Sequence, residues 1–271
     1  MSNKPIIWNY GGGKQTAAIA VLIRQGVLPR PERIVMADTG RECKTTFEYL
    51  ENYMRPLLHE VGCEVEVIPH SFSKQDLYYI NKNKEESQLP VIPTWTRQNG
   101  EVGKMRTFCS GFWKRDVVRD WLLLPEQGYG RKNPVIQWIG FSLDEISRCK
   151  DSDVQWREHH YPLIWGYNVR MTRQECVDLV LNYGLPEPPK SRCWMCGEQN
   201  NEEWRDVQSR PDEWQKAVEL DYEIRSRDES NAVYLHFSGV PLIEADLSDK
   251  PKRELSLFQY DQMTCSEGCW T

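Results

Sequence analysis

The chain has 271 residues, 39% hydrophobic and 27% charged, with a formal net charge of −6 at pH 7. That length holds one α/β domain plus a smaller appendage, and the acidic balance argues against sequence-independent binding of DNA or RNA through a broad electrostatic surface. No apolar run reaches the roughly 18 residues of a membrane span, and the N-terminal residues enter a first strand almost at once. The expected location is therefore cytoplasmic, with no membrane partner.

The apolar run Ile6 to Trp8 leads into Gly11-Gly12-Gly13-Lys14-Gln15-Thr16, and helix formers follow from Ala17 to Leu22. This order predicts a buried strand, a tight glycine turn and a helix start. Glycines let backbone N–H groups approach an anion, the helix N-terminus carries partial positive charge, and Lys14 adds a full one. The segment is built to hold phosphate. It is not the commonest phosphate loop, because Trp8 and Gln15 stand where that loop requires Gly and Ser or Thr.

A second buried strand, Arg33 to Ala37, ends in Asp38-Thr39-Gly40. The helix predicted after it carries Phe47, Leu50, Met54, Leu57, Leu58 and Val61 on one face, and Pro56 predicts a kink or break within it. Two strand ends of this kind face one crevice in an open α/β sheet. Glu64 to Ile68 alternates as a further strand. The stretch from Asn81 to Met105 is polar and rich in turn residues, predicting a long irregular connection that acts as a lid. Arg106, Cys109, Lys114 and Arg115 cluster ahead of a helix expected from about Trp113 to Leu124. A third strand, Ile136 to Ile139, ends in Gly140, with Asp144, Glu145 and Arg148 beyond it.

Thr172 and Glu175 form a capping box that opens a helix bearing Cys176. The proline-rich Pro186-Glu187-Pro188-Pro189 reads as a linker. A helix is predicted from Pro211 to Arg227, with Trp214, Val218, Asp221, Tyr222 and Arg225 on one face. His236 and the pair His159-His160 lack metal-ligand spacing and read as structural. The domain division expected is 1–165 for the α/β domain and 166–271 for a C-terminal helical, cysteine-bearing segment.

Of nine cysteines, five make a pattern: Cys109, the C-x-x-C of Cys193 and Cys196, and the terminal Cys265 and Cys269. A C-x-x-C turn presents two thiolates to one centre. Zinc, an iron–sulfur cluster and a redox dithiol all remain open from that spacing alone.

The glycine turn resembles the PP-loop of ATP pyrophosphatases and of adenylylsulfate and phosphoadenylylsulfate (PAPS) reductases, whose usual form is S-G-G-x-D-S. Gly11 replaces the first serine, Gln15 the aspartate and Thr16 the last serine. The Asp38-Thr39-Gly40 element, the Arg106–Cys109–Lys114 cluster, the Gly140 segment with Arg148, and the C-x-x-C are similar to later elements of the reductase-like branch. The resemblance covers Trp8 to Cys269. It implies a Rossmann-like parallel sheet of the adenine nucleotide alpha-hydrolase type, binding ATP or PAPS/APS. Phosphates would lie on Gly11, Gly12, Gly13, Lys14, Gln15 and Thr16, adenosine near Asp38, Thr39 and Gly40, and the far end toward Arg106, Lys114, Gly140 and Arg148. It further implies a [4Fe-4S] cluster, or zinc instead, on Cys109, Cys193, Cys196 and Cys265.

Two chemistries fit this resemblance. In sulfonucleotide reduction, Cys269 attacks sulfur with Lys14 beside the phosphates, AMP or its 3′-phosphate leaves, and a thioredoxin-like reductant regenerates the thiol. In the other, ATP adenylates a substrate such as nucleic acid, and sulfur from a donor displaces AMP. A nucleotide-binding protein with structural zinc and no turnover is the third reading. The oligomeric state is not legible.

Overall fold

Apolar residues in the predicted strands alternate between two destinations, and the tertiary structure shows why. The computed structural model describes residues 4–80, 83, 85–228, 230 and 232–248. It divides into two compact units. One comprises the chain up to Phe72 together with Trp113–Arg192, and the other Ser73–Phe112 together with the chain from Cys193 onward. The boundary expected at 165/166 falls inside the first unit. Cys265 and Cys269 lie outside the described residues.

The first unit is an α/β layer built on five parallel strands. These are β1 (Ile6–Asn9), β2 (Arg33–Ala37), β3 (Val65–Ile68) and, later in the chain, strands at Val135–Ile139 and Arg157–His160. Numbered β8 and β9 in chain order, the last two complete a sheet of order β3-β2-β1-β8-β9. Trp8 pairs in register with Ile34 and Trp138. Trp8, Ile34, Met36 and Trp138 pack on one face against α1 (Lys14–Arg24) and a helix at Arg173–Asn182. Ile7, Val35, Ala37 and Val135 point the other way, against Val117, Val118 and Leu122 of the helix Asp116–Leu122. A strand buried on both faces has no polar alternation, which is why these runs read as continuously apolar. Strand order reverses at β1, so the crevice beyond the carboxyl ends of β1 and its neighbours is the place where such sheets take ligands.

Pro56 does not break its helix. The segment runs as α2 (Lys44–Tyr49), a π-helical turn at Leu50–Met54 and α3 (Arg55–His59). Arg55 N–H reaches back to the Leu50 carbonyl, an i to i−5 bond just before the proline. Pro56 supplies no N–H, and a widened turn absorbs the mismatch without stopping the helix. The helix expected near Trp113–Leu124 likewise begins as a π-helical turn, Gly111–Arg115, and continues as α4 (Asp116–Leu122).

The second unit corrects the expectation of an irregular connection. Among the described residues from Glu85 to Met105, three strands form. β4 (Tyr78–Ile80) and β5 (Glu86–Pro90) pair antiparallel, as do β6 (Trp95–Gln98) and β7 (Glu101–Lys104). Asn99 and Gly100 join β6 to β7 with φ of 51° and 84°, the two positive angles of a tight hairpin turn. The Asn-Gly signal was present in the sequence, but polar strands hide the alternation that identifies a strand.

The helix α5 (Arg173–Asn182) starts at the predicted Thr172–Glu175 capping box and α7 (Pro211–Arg227) has its predicted bounds, while α6 (Asn201–Gln208) starts at a second capping box, Asn200–Glu203. The buried face of α7 differs from the predicted one. It carries Glu213, Ala217, Leu220, Asp221 and Ile224, while Tyr222 is 66% exposed. Asp221 is buried for a reason: its carboxylate accepts from Leu235 N–H (2.9 Å), Leu242 N–H (3.0 Å) and Arg225 Nε (3.2 Å). One side chain thereby ties α7 to the chain that follows β10 (Val233–Tyr234), whose strand extends the β6–β7 sheet. No helix among the described residues is long and apolar enough to cross a membrane.

Candidate functional site

The glycine turn sits at the carboxyl end of β1, where the sheet order reverses. Gly12 takes φ of +74°, a conformation that side-chain-bearing residues rarely adopt. A Cβ there would stand 2.5 Å from Thr46 Cγ2, so close packing also demands glycine. Gly13 precedes α1 in extended conformation and offers no side chain to cap it, and the first turn of α1 holds no acidic residue. The first-turn N–H groups of a helix have no partner inside it. Here neither a cap nor a carboxylate of that turn competes with an incoming anion.

Two lysines flank this turn, each matched to a glutamate. Lys14 Nζ lies 2.7 Å from Glu187 Oε1, with side chains 28% and 59% exposed. Lys114 Nζ lies 3.0 Å from Glu42 Oε1, whose carboxylate is only 1% exposed. A small cleft of about 20 Å³ lies beside Lys114 at the ends of β1 and β2. Asn9, Tyr10, Gly11, Ala37, Glu42 and Lys114 are among its lining residues. Glu42 Oε2 is buried and accepts no hydrogen bond among the described residues. A buried carboxylate oxygen without a donor is costly unless a ligand or water supplies one.

Gln15 and Thr16 are turned to structural use. Thr16 Oγ1 accepts from Gly11 N–H at 3.3 Å and braces the turn from inside. Gln15 Nε2 donates to Glu145 Oε2 at 2.6 Å and contacts Ser142 Oγ at 3.4 Å, joining α1 to the segment after β8. Glu145, itself buried, also holds the guanidinium of Arg148, which stacks 4.4 Å from the centroid of Phe141. Arg148 is thus held beside Glu145. A Cβ at Gly140 would approach Ile19 Cδ1 to 3.3 Å, so this glycine lets the segment after β8 lie against α1.

Beyond β2, Asp38 Oδ1 accepts from Gly40 N–H at 2.7 Å and closes a turn with Gly40 at φ of +69°. Thr39 is buried, and its hydroxyl accepts from Arg41 N–H at 3.3 Å. Sequence reasoning missed the next two residues, Arg41 and Glu42. The Arg41 guanidinium lies 5.0 Å from the Trp113 ring centroid and 3.0 Å from His70 Nε2, and Glu42 meets Lys114 beside it. The available signal was a charged pair directly after a strand end. Sequence reasoning also missed that residues 186–189, read as a linker, belong to the first unit with residues 190–192 after them.

The described thiols of interest fall in the second unit, as does the exposed Arg106. Cys109 follows β7 at a point where both Phe108 and Cys109 donate N–H groups to the Val91 carbonyl, at 2.8 and 3.0 Å. The C-x-x-C forms a turn closed by Cys196 N–H to Cys193 C=O at 3.2 Å. The next residue, Gly197, packs so tightly that a Cβ would stand 2.3 Å from the Pro93 carbonyl oxygen. Its own carbonyl accepts from Trp95 Nε1 at 2.7 Å, and neighbouring Glu198 pairs with Lys104 at 2.5 Å. Among the described residues no three His, Cys, Asp or Glu side chains are gathered as a metal-holding group. The donor chemistry of three thiols suits a soft metal, but a formed ligand set is not among the described residues.

Other cysteines and histidines read as structural. Burial pushes the Cys149 thiol up to about 11 and Cys176 up to about 12, far from thiolate reactivity. Burial pushes His236 down to about 4, and its ring nitrogens contact Ser238 Oγ at 2.6 Å and Asn201 Oδ1 at 3.2 Å. His159 is also pushed down to about 4 by burial, with Nδ1 3.0 Å from the Lys150 carbonyl oxygen.

No family model and no curated protein matches this chain.

Proposed function

We propose that this chain binds an adenine nucleotide at the carboxyl ends of β1 and β2 and uses it in sulfur chemistry. The reaction is reduction of a sulfonucleotide with release of AMP or its 3′-phosphate, in the manner of the PAPS reductase family. The observation that carries the binding step is the uncapped glycine turn at the point of strand-order reversal, opening on a cleft lined by Gly11 and Lys114. Phosphoryl oxygens would take backbone N–H groups of Gly12 to Thr16 with Lys14 as the full counter-charge. Glu42 Oε2, buried and without a donor, would accept from a ribose hydroxyl or the adenine amine. Lys114, held in the cleft by Glu42, would face the phosphate side and offset charge developing on the leaving nucleotide.

In the reductive reaction the Cys269 thiolate attacks the sulfonucleotide sulfur, and the sulfur–oxygen bond to the phosphate breaks. The nucleotide departs with that electron pair, and a thiol reductant of the thioredoxin type then frees sulfite. A metal centre on Cys109, Cys193 and Cys196, with Cys265, belongs to the same proposal. It rests on the thiol donors and the C-x-x-C turn, and when bound it would supply electrostatic polarisation at the sulfate.

The test compares ATP with PAPS as ligands of the anaerobically purified chain. A selective ligand raises the melting temperature by mass action, and iron, zinc and sulfide contents identify the metal. A shift with PAPS, together with sulfite release that Cys269→Ser abolishes, is the expected result. A shift with ATP and formation of pyrophosphate would instead establish the adenylating chemistry, and no shift with either nucleotide would refute the binding step.

A further inference from the structure

The glycine turn is not open on every side. Residues 186–192, which belong to the same unit, run across it. Tyr49 Oη donates to the Pro186 carbonyl at 2.9 Å, and Cys43 N–H donates to the Arg192 carbonyl at 2.9 Å, so both ends of this strap are pinned to the α2 region. Between the pins, a Cβ at Gly13 would stand 3.4 Å from the backbone nitrogen and Cβ of Ser191 and 4.0 Å from the Pro189 carbonyl oxygen. Ser191 Oγ would lie 3.9 Å from a Cβ at Gly12. The strap therefore lies over the two glycines that a phosphate group would approach.

Its polar groups point to an anion. Glu187 places a carboxylate oxygen 2.7 Å from Lys14 Nζ, the position a phosphoryl oxygen would take. Ser191 Oγ and Thr46 Oγ1 are buried at the turn, and neither has a hydrogen-bond partner among the described residues. Thr46 is 0% exposed. Two donor hydroxyls left unsatisfied beside a glycine turn are what a tetrahedral oxyanion would satisfy. Pro186, Pro188 and Pro189 limit the backbone freedom of the strap.

We propose that residues 186–192 gate the phosphate site: the Glu187 carboxylate occupies Lys14 in place of a phosphoryl group and leaves when nucleotide enters. This rests on the proposed nucleotide-binding role of the glycine turn. Glu187 is more than half exposed, so its pair with Lys14 is weak and easily exchanged. A carboxylate left beside an arriving phosphate would repel it. The gate thus sets a threshold that favours ligands of high charge density over weaker anions.

The experiment titrates ATP and, separately, PAPS calorimetrically into the full chain and its Glu187→Gln variant, at low and high salt. Glu48→Gln, which removes another exposed carboxylate of the same unit, controls for net charge. Glu187→Gln is expected to tighten binding of the accepted nucleotide roughly two- to fivefold at low salt, with the gain shrinking at high salt. Glu48→Gln is expected to leave affinity unchanged. Wild-type binding with no gain in Glu187→Gln, or an equal gain in Glu48→Gln, overturns the gate while leaving the nucleotide site intact. Failure of all three proteins to bind either nucleotide removes the site itself and the gate with it.

Discussion

Gly12→Ala tests the geometry on which the phosphate turn depends. The substitution has two separable costs. Holding an L-residue at φ of +74° costs about 1–2 kcal/mol. The new methyl would also stand 2.5 Å from Thr46 Cγ2, with Met36 Cε at 3.7 Å. Thr46 is fully buried and cannot swing away, so overpacking adds about 1–3 kcal/mol. The sum, about 2–5 kcal/mol, corresponds to roughly 4–20 °C in melting temperature for a unit of this size. Gly26→Ala is the matched reference: φ is +73°, and a Cβ there meets nothing within 4 Å, so only the backbone cost applies. Thermal melts of both variants, read by circular dichroism, give the clash by difference. Thr46→Ser removes the offending methyl and should return much of that difference to Gly12→Ala in a double-mutant cycle. Equal melting temperatures for Gly12→Ala and Gly26→Ala would refute the close packing of α2 on the glycine turn.

Two further outcomes concern the second unit and acid stability. Asp221→Ala strips two backbone N–H groups and Arg225 of a buried acceptor and is expected to cost about 3–5 kcal/mol. Asp221→Asn, which keeps one acceptor oxygen, should cost less, and a loss below about 1 kcal/mol for Asp221→Ala would contradict its tying role. Burial depresses His236 and His159 to about 4 from an ordinary 6.5, so the unfolded chain binds more protons between those values. Stability should therefore rise with pH across this window and fall as pH drops from 6.5 toward 4, by up to about 3 kcal/mol for each histidine. Urea midpoints measured across that range check it. His236→Gln should flatten part of the acid limb, and a flat profile in the wild type would refute neutral burial.

Local sequence determined those features whose causes are local. Buried runs at Ile6–Asn9, Arg33–Ala37 and Val135–Ile139 announce strands covered on both faces, and the Thr172–Glu175 box and Pro211 mark helix starts through adjacent backbone chemistry. The glycine turn was legible because φ and close approach are properties of one or two residues. Only the tertiary structure decided the rest, since each remaining feature is a pairing between distant segments. Pairing made strands of the polar residues from Glu86 to Lys104, where β6 gains partners on both sides from β7 and β10. It gave Glu42 and Lys114 to one cleft and turned Gln15 toward Glu145, and it brought a proline-rich segment that reads as a linker across Gly12 and Gly13. Charge and hydrogen-bond partners are chosen by proximity in space, and a linear pattern records which groups a chain owns without recording which of them meet.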